Sequence, residues 1–157
     1  MSDPYVWLKL AHVIGAWVLF GTGLGIAFFM WMAHRTGDSG VIASTGRIVV
    51  IADAAFTASA AILQPLTGVA LARVMGFPLV EPWIVCSFAL YLFVGACWLP
   101  VVFIQIKLRA LATAARDAGE PLPAQYRKLF RIWFALGWPA FAGVIAIFAL
   151  MIAKPQI

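Results

Sequence analysis

The sequence predicts an all-α, polytopic membrane protein: a four-transmembrane-helix bundle with both termini outside. Three observations carry this. The 157 residues are 64% hydrophobic and only 11% charged, against about 45–50% and about 25% in soluble domains; the mean hydropathy is +1.00. The apolar residues gather into four stretches, roughly 5–32, 48–74, 82–108 and 129–153, and about 20 residues suffice to cross a hydrocarbon core. The basic residues flank these stretches unevenly, as topology signals do. A chain this short cannot hide so much apolar surface in a soluble core. The alternating segments of a membrane barrel are absent, so residues 1–157 read as a single transmembrane domain.

Each stretch can be justified in order. The first starts at Met-Ser-Asp-Pro and lacks a basic leader. It is long for a signal sequence and is followed by Arg35, so a retained helix is expected. A loop over 35–47 comes next, with Asp38 or Ser39 as the helix N-cap. The second and third stretches are joined by MGFPLVE (75–81), a tight turn. The third continues as a helical extension through RALATAARDAG, which Gly119 would end and Pro121 and Pro123 would keep from resuming. Pro65, Pro100 and Pro139 lie inside the last three stretches. Each frees a carbonyl one turn earlier, at Ala61, Ala96 and Ala135, which membrane helices tolerate where a neighbour supplies a donor. Gly21-x-x-x-Gly25 marks a face for close helix contact or a homodimer. Cys86 and Cys97 lie about 16 Å apart along one helix, too far for a disulfide.

Charge sets the orientation. The side holding the first and third loops carries Arg35, Arg47, Lys107, Arg109, Arg116, Arg127, Lys128 and Arg131. The other side carries Lys9, Arg73 and Lys154, and eight plus three accounts for all eleven basic residues. The positive-inside rule then places the first and third loops in the cytoplasm and both termini in the periplasm of a bacterial inner membrane. The net charge of +5 reads as topology signal and contact with anionic lipid, not as a nucleic-acid surface. The partners expected are the lipid bilayer and a second copy or a larger membrane complex.

Ionisable residues at membrane depth are site candidates. Lys9 lies one turn from the outer interface, where its ammonium can reach water. His12 lies about two turns in, beyond the reach of snorkelling. It must be hydrogen-bonded, paired with an acid or bound to a metal. Its face continues through Gly15, Ala16, Leu19 and Gly23, which leaves room either for a neighbouring helix or for a flat cofactor. At the same depth stand Gln64, Thr67 and Gly68 on the second stretch and Cys86, Ser87 and Tyr91 on the third. The only other histidine, His34, is about 33 Å away along the same helix, so one copy cannot supply bis-histidine ligation. With His12 as axial ligand to a haem iron, Gly15, Ala16, Gln64, Gly68, Ser87 and Tyr91 would line the pocket. On the second stretch, Asp53, Thr57, Ala60, Gln64 and Gly68 keep to helical spacings and form one expected polar face. Asp53, near the cytoplasmic end, reads either as a packing ion pair close to Arg131 or as a proton-accepting carboxylate. The third stretch carries Ser87, Tyr91, Trp98 and Gln105, so two polar stripes would meet in a seam.

Several segments point to a family. YVWLKLAHVIGAW, ILQPLTGVAL, GACWLPVVFIQIKLRALA and RKLFRIWFALGWPAFAGVIAIFALMIAKP resemble bacterial integral membrane proteins catalogued as the domain of unknown function numbered twenty-two sixty-nine. That resemblance implies a membrane bundle and no stated activity. The start YVWLKLAHVIG is also similar to HemJ-type protoporphyrinogen oxidases and, more loosely, to CopD-type membrane proteins. The former similarity implies a b-type haem at His12. Ser87 stands four residues after Trp83, where the HemJ-type pattern has lysine, and a late third-span histidine is missing. The similarity therefore implies haem binding without protoporphyrinogen oxidation. Two further expectations stand beside it: a non-enzymatic membrane subunit or assembly partner, and a small proton-coupled transporter using Asp53.

Overall fold

The computed structural model, which describes residues 4–155, consists of four helices: α1 (Pro4–Thr36), α2 (Ser39–Val74), α3 (Pro82–Ala118) and α4 (Ala124–Ala153). Each is long and apolar enough to cross a membrane, and no strand occurs among the described residues. The expected all-α architecture of four membrane-spanning helices holds. Met1 to Asp3, with which the expected retained first helix opens, lie outside the described residues.

The helix ends reflect local chemistry. Asp38 caps α2, its Oδ1 accepting from the amides of Gly40 and Val41 at 2.7 and 3.0 Å. That satisfies two of the amides a helix start leaves unpaired. Gly37, at φ 69°, makes the turn. Of the two N-cap candidates Asp38 is the cap, and the loop expected over 35–47 shrinks to Gly37 and Asp38. The segment up to Arg47 is helical because a capped end with no Pro and only two isolated glycines has nothing to stop it. The expected stop at Gly119 also holds: α3 runs to Ala118, and Gly119 terminates it in the left-handed region at φ 66°.

Helices next to each other in sequence pack side by side. α1 lies along α2, and α3 lies along α4. The N-terminal part of α2 also packs on α3. α1 meets α4 through Phe20, whose ring lies 5.1 Å from Phe141 and 5.6 Å from Phe148. Gly143 allows α3 and α4 to close up, since a Cβ there would sit 2.5 Å from Val94 Cγ2. The main buried cluster draws on all four helices: Ile26, Met30 and Ala33; Ile42, Ala43 and Val49; Leu108 and Ala112; Tyr126, Phe130 and Trp133. It occupies the end that holds the α1–α2 turn, the end rich in basic residues. At the opposite end a smaller cluster of Ala72, Trp83 and Ile84 packs with Phe77 and Met151.

α2 is not a uniform α-helix. Residues Asp53–Thr57 form a π-helical turn, with Ala58 N–H bonded to Asp53 O. Such a turn inserts one residue, which rotates the remainder of the helix by about 100°. This corrects the single polar face expected from Asp53 to Gly68. Asp53 faces α3, whereas Gln64 and Gly68 face α1. Regular spacing cannot register the extra residue, so counting in fours and threes carries the stripe straight across it.

Candidate functional site

Two polar clusters cross the bundle, one on each side of the π-turn. The one nearer the chain termini surrounds His12. The imidazole Nδ1 lies 2.9 Å from Thr67 Oγ1. The Gln64 amide donates from Nε2 to the carbonyl of His12 at 2.9 Å. Thr67 also donates to Leu63 O at 2.8 Å. Its one proton is thereby spent on its own helix, so we assign the ring proton to Nδ1, as donor to Thr67. Nε2 is left with a free lone pair and makes no hydrogen bond among the described residues. This is the tautomer in which a histidine serves as a metal ligand, its other nitrogen held by an oxygen.

The glycines explain how α1 and α2 come so close. A Cβ at Gly15 would stand 2.8 Å from Gln64 Nε2, and one at Gly68 would stand 3.2 Å from His12 Cε1. The space these residues leave is filled by Gln64 and by the histidine ring itself. His12, Gly15, Gln64, Thr67 and Gly68 are thus brought together. Ala16, on the same helix, is half-buried.

Ser87 and Tyr91 are engaged elsewhere. Ser87 is buried and donates to Trp83 O of its own helix at 2.7 Å. Tyr91 donates to the carbonyl of Ala61, the group that Pro65 deprives of its helical partner. Lys9 lies on the exposed face, donating to Tyr5 Oη at 3.1 Å and resting over its ring, as an interfacial anchor does.

The second cluster, nearer the α1–α2 turn, is built on Asp53, which is only 5% exposed. Trp98 Nε1 donates to Oδ1 at 3.2 Å and Gln105 Nε2 donates to Oδ2 at 3.1 Å. Gln105 Oε1 in turn accepts from Trp133 Nε1 at 3.1 Å. The chain Asp53–Gln105–Trp133 ties α2, α3 and α4 together. The ion pair considered with Arg131 is not formed; Arg131 is exposed, and the donors are neutral. Tyr91, Trp98 and Gln105 make the expected seam with α2, and Ser87 stays out of it. Thr57, one turn on from Asp53, is buried, and its hydroxyl has no partner among the described residues. Ser44, Ser59, Thr67 and Ser87 bond back to the carbonyl four residues earlier. For Thr57 that carbonyl is Asp53 O, which the π-turn directs at Ala58 N–H.

The donor chemistry at His12 suits an axial ligand of haem iron. Among the described residues no three His, Cys, Asp or Glu converge, so a bare ion would lack ligands here, whereas haem needs one protein nitrogen. The room does not come from Gly15 and Gly68, which are filled. A macrocycle would require the flank of the ring turned away from α2.

The sequence profile of a family described as predicted integral membrane protein (DUF2269) matches residues 6–155. No curated protein and no solved structure matches the chain.

Proposed function

The chain belongs to this family of predicted integral membrane proteins, and from that premise we propose that it is a membrane-embedded haem protein, with His12 as the axial ligand of a b-type haem. The observation that carries the reading is the imidazole seated on Thr67 through Nδ1, which leaves Nε2 with no hydrogen bond among the described residues. When bound, the haem would supply one-electron chemistry. The chain's own part is to fix the tautomer through Thr67 and to hold the ring against α2 through Gln64. The bias of basic residues supports an inner-membrane orientation with both termini in the periplasm. The test is the absorption spectrum of protein purified from haem-replete cells. A Soret band is expected, lost in His12→Ala. Thr67→Val should keep the band and weaken haem affinity about 10–100-fold, as loss of a hydrogen-bond partner behind a ligating imidazole does. Colourless wild-type protein that haem does not reconstitute would defeat the reading.

A second reading is a non-enzymatic membrane subunit or assembly partner. It is favoured by the unused face at Gly21, where an added Cβ would meet nothing within 4 Å. Co-purification with a larger complex, lost in Gly21→Leu, is its expected sign. Asp53 supports a third, proton-linked transport reading, since the carboxylate is buried and in no ion pair among the described residues. That one expects pH-dependent uptake abolished in Asp53→Asn.

A further inference from the structure

A cavity of about 210 Å³ opens between α1 and α4 at the basic end of the bundle, lined by Trp31, His34, Phe130, Arg131 and Phe134. One wall is built by ring stacking. The His34 ring stacks on Phe130 with centroids 3.6 Å apart and 11° between planes. His34 Nδ1 also lies 3.3 Å from the hydroxyl of Tyr126, a fully buried residue. Next to the cavity, the Arg35 guanidinium lies 5.2 Å from the ring centroid of Trp31, a contact that holds cation and indole together.

Arg131 lines the cavity and Arg35 stands against its Trp31, so positive charge gathers here without a counter-charge. Arg35 and Arg131 are both exposed, and neither forms an ion pair; the pair found among the described residues is Arg116–Asp117. No acidic side chain among the described residues lines the cavity. Its depth is also informative. α1 spans 33 residues, about 50 Å at 1.5 Å per residue, and a hydrocarbon core takes up only about 30 Å. Trp31 and His34 lie in the last two turns of α1, so they stand where the helix leaves hydrocarbon for the headgroup layer. Tryptophan and arginine are the residues that settle at this boundary.

We propose that this cavity binds the phosphodiester headgroup of an anionic phospholipid. Arg131 and Arg35 pair with the phosphate oxygens through their planar N–H forks. Trp31 and Phe134 flank the glycerol and the first acyl methylenes. Basic pockets between membrane helices take anionic headgroups for this reason, and the site is independent of any group held at His12.

The test uses the full chain purified in mild detergent. Phosphatidylglycerol, phosphatidylcholine and inorganic phosphate are added in turn, and native mass spectrometry counts retained lipid. Phosphatidylglycerol should be retained in preference to phosphatidylcholine. Arg35→Gln with Arg131→Gln should reduce its affinity at least about tenfold, as loss of charge-assisted bonds implies. Arg131→Lys in place of Arg131→Gln should restore part of it, and Lys107→Gln, outside the cavity, should change nothing. Both arginines are exposed, so the variants should keep the wild-type circular dichroism. Equal retention of the two lipids, or undiminished phosphatidylglycerol in the double variant, would overturn the proposal. Displacement of the lipid by inorganic phosphate alone would also overturn it, by showing a free-anion site.

Discussion

Gly15 and Gly21 stand under two turns apart on α1 and meet opposite surroundings. An added methyl at Gly15 would press on Gln64 Nε2 at 2.8 Å, while at Gly21 it would meet nothing within 4 Å. The Gln64 end cannot simply swing away without giving up its bond to His12 O. Gly15→Ala should therefore destabilise the protein by about 1–3 kcal/mol, the usual cost of overpacking. Gly21→Ala should be neutral or stabilising by up to about 1 kcal/mol, since alanine is the better helix former. Unfolding in mixed micelles monitored by circular dichroism separates the two. Equal stabilities would mean that Gln64 is not seated against α1.

Within α2 and α3, Pro65 and Tyr91 depend on each other. Proline removes the amide that would bond Ala61 O, and Tyr91 supplies the missing donor from the neighbouring helix. Tyr91→Phe should cost about 1–2 kcal/mol, because it leaves a carbonyl unpartnered in an apolar setting. In a Pro65→Ala background the same change should cost less, since residue 65 now offers an N–H to its own helix. A double-mutant cycle should give a coupling of about 0.5–1.5 kcal/mol. A coupling near zero would show that the tyrosine contact does not answer the proline.

Across the molecule, four spans, their order and the Gly119 stop were legible in the sequence because hydropathy and capping act locally. The same chemistry narrowed the cap of α2 to Asp38 or Ser39, but the length of the preceding loop did not follow from it. Arg47 looked like an interfacial marker, although a capped helix can carry a charged residue well past the hydrocarbon. The His12 neighbourhood was partly legible: depth selected Gln64, Thr67 and Gly68. It also selected Ser87 and Tyr91, which depth alone cannot exclude because it ignores which way a side chain turns. The Trp31–His34–Arg131 cavity was missed, though two aromatic–cation runs at the ends of α1 and α4 were its signal. Orientation is open to direct measurement. In a variant lacking Cys86 and Cys97, a single cysteine at Glu120 should resist a membrane-impermeant maleimide in intact cells and react after lysis. One at Leu79 should react in both cases. The reverse pattern would invert the bundle.

The π-turn at Asp53–Thr57 bears on which changes in length this chain can absorb. The turns at 75–81 and 119–123 can gain or lose a residue at their exposed positions at little cost, provided Phe77 and Leu122 keep their places against the buried clusters. The interval from Asp53 to Gln64 has no such latitude. One residue added or deleted there leaves hydropathy, charge and span count unchanged. It would still point either the carboxylate away from Trp98 and Gln105 or the amide away from His12. For homologous chains the expectation is length variation in the turns and a constant count between these two residues.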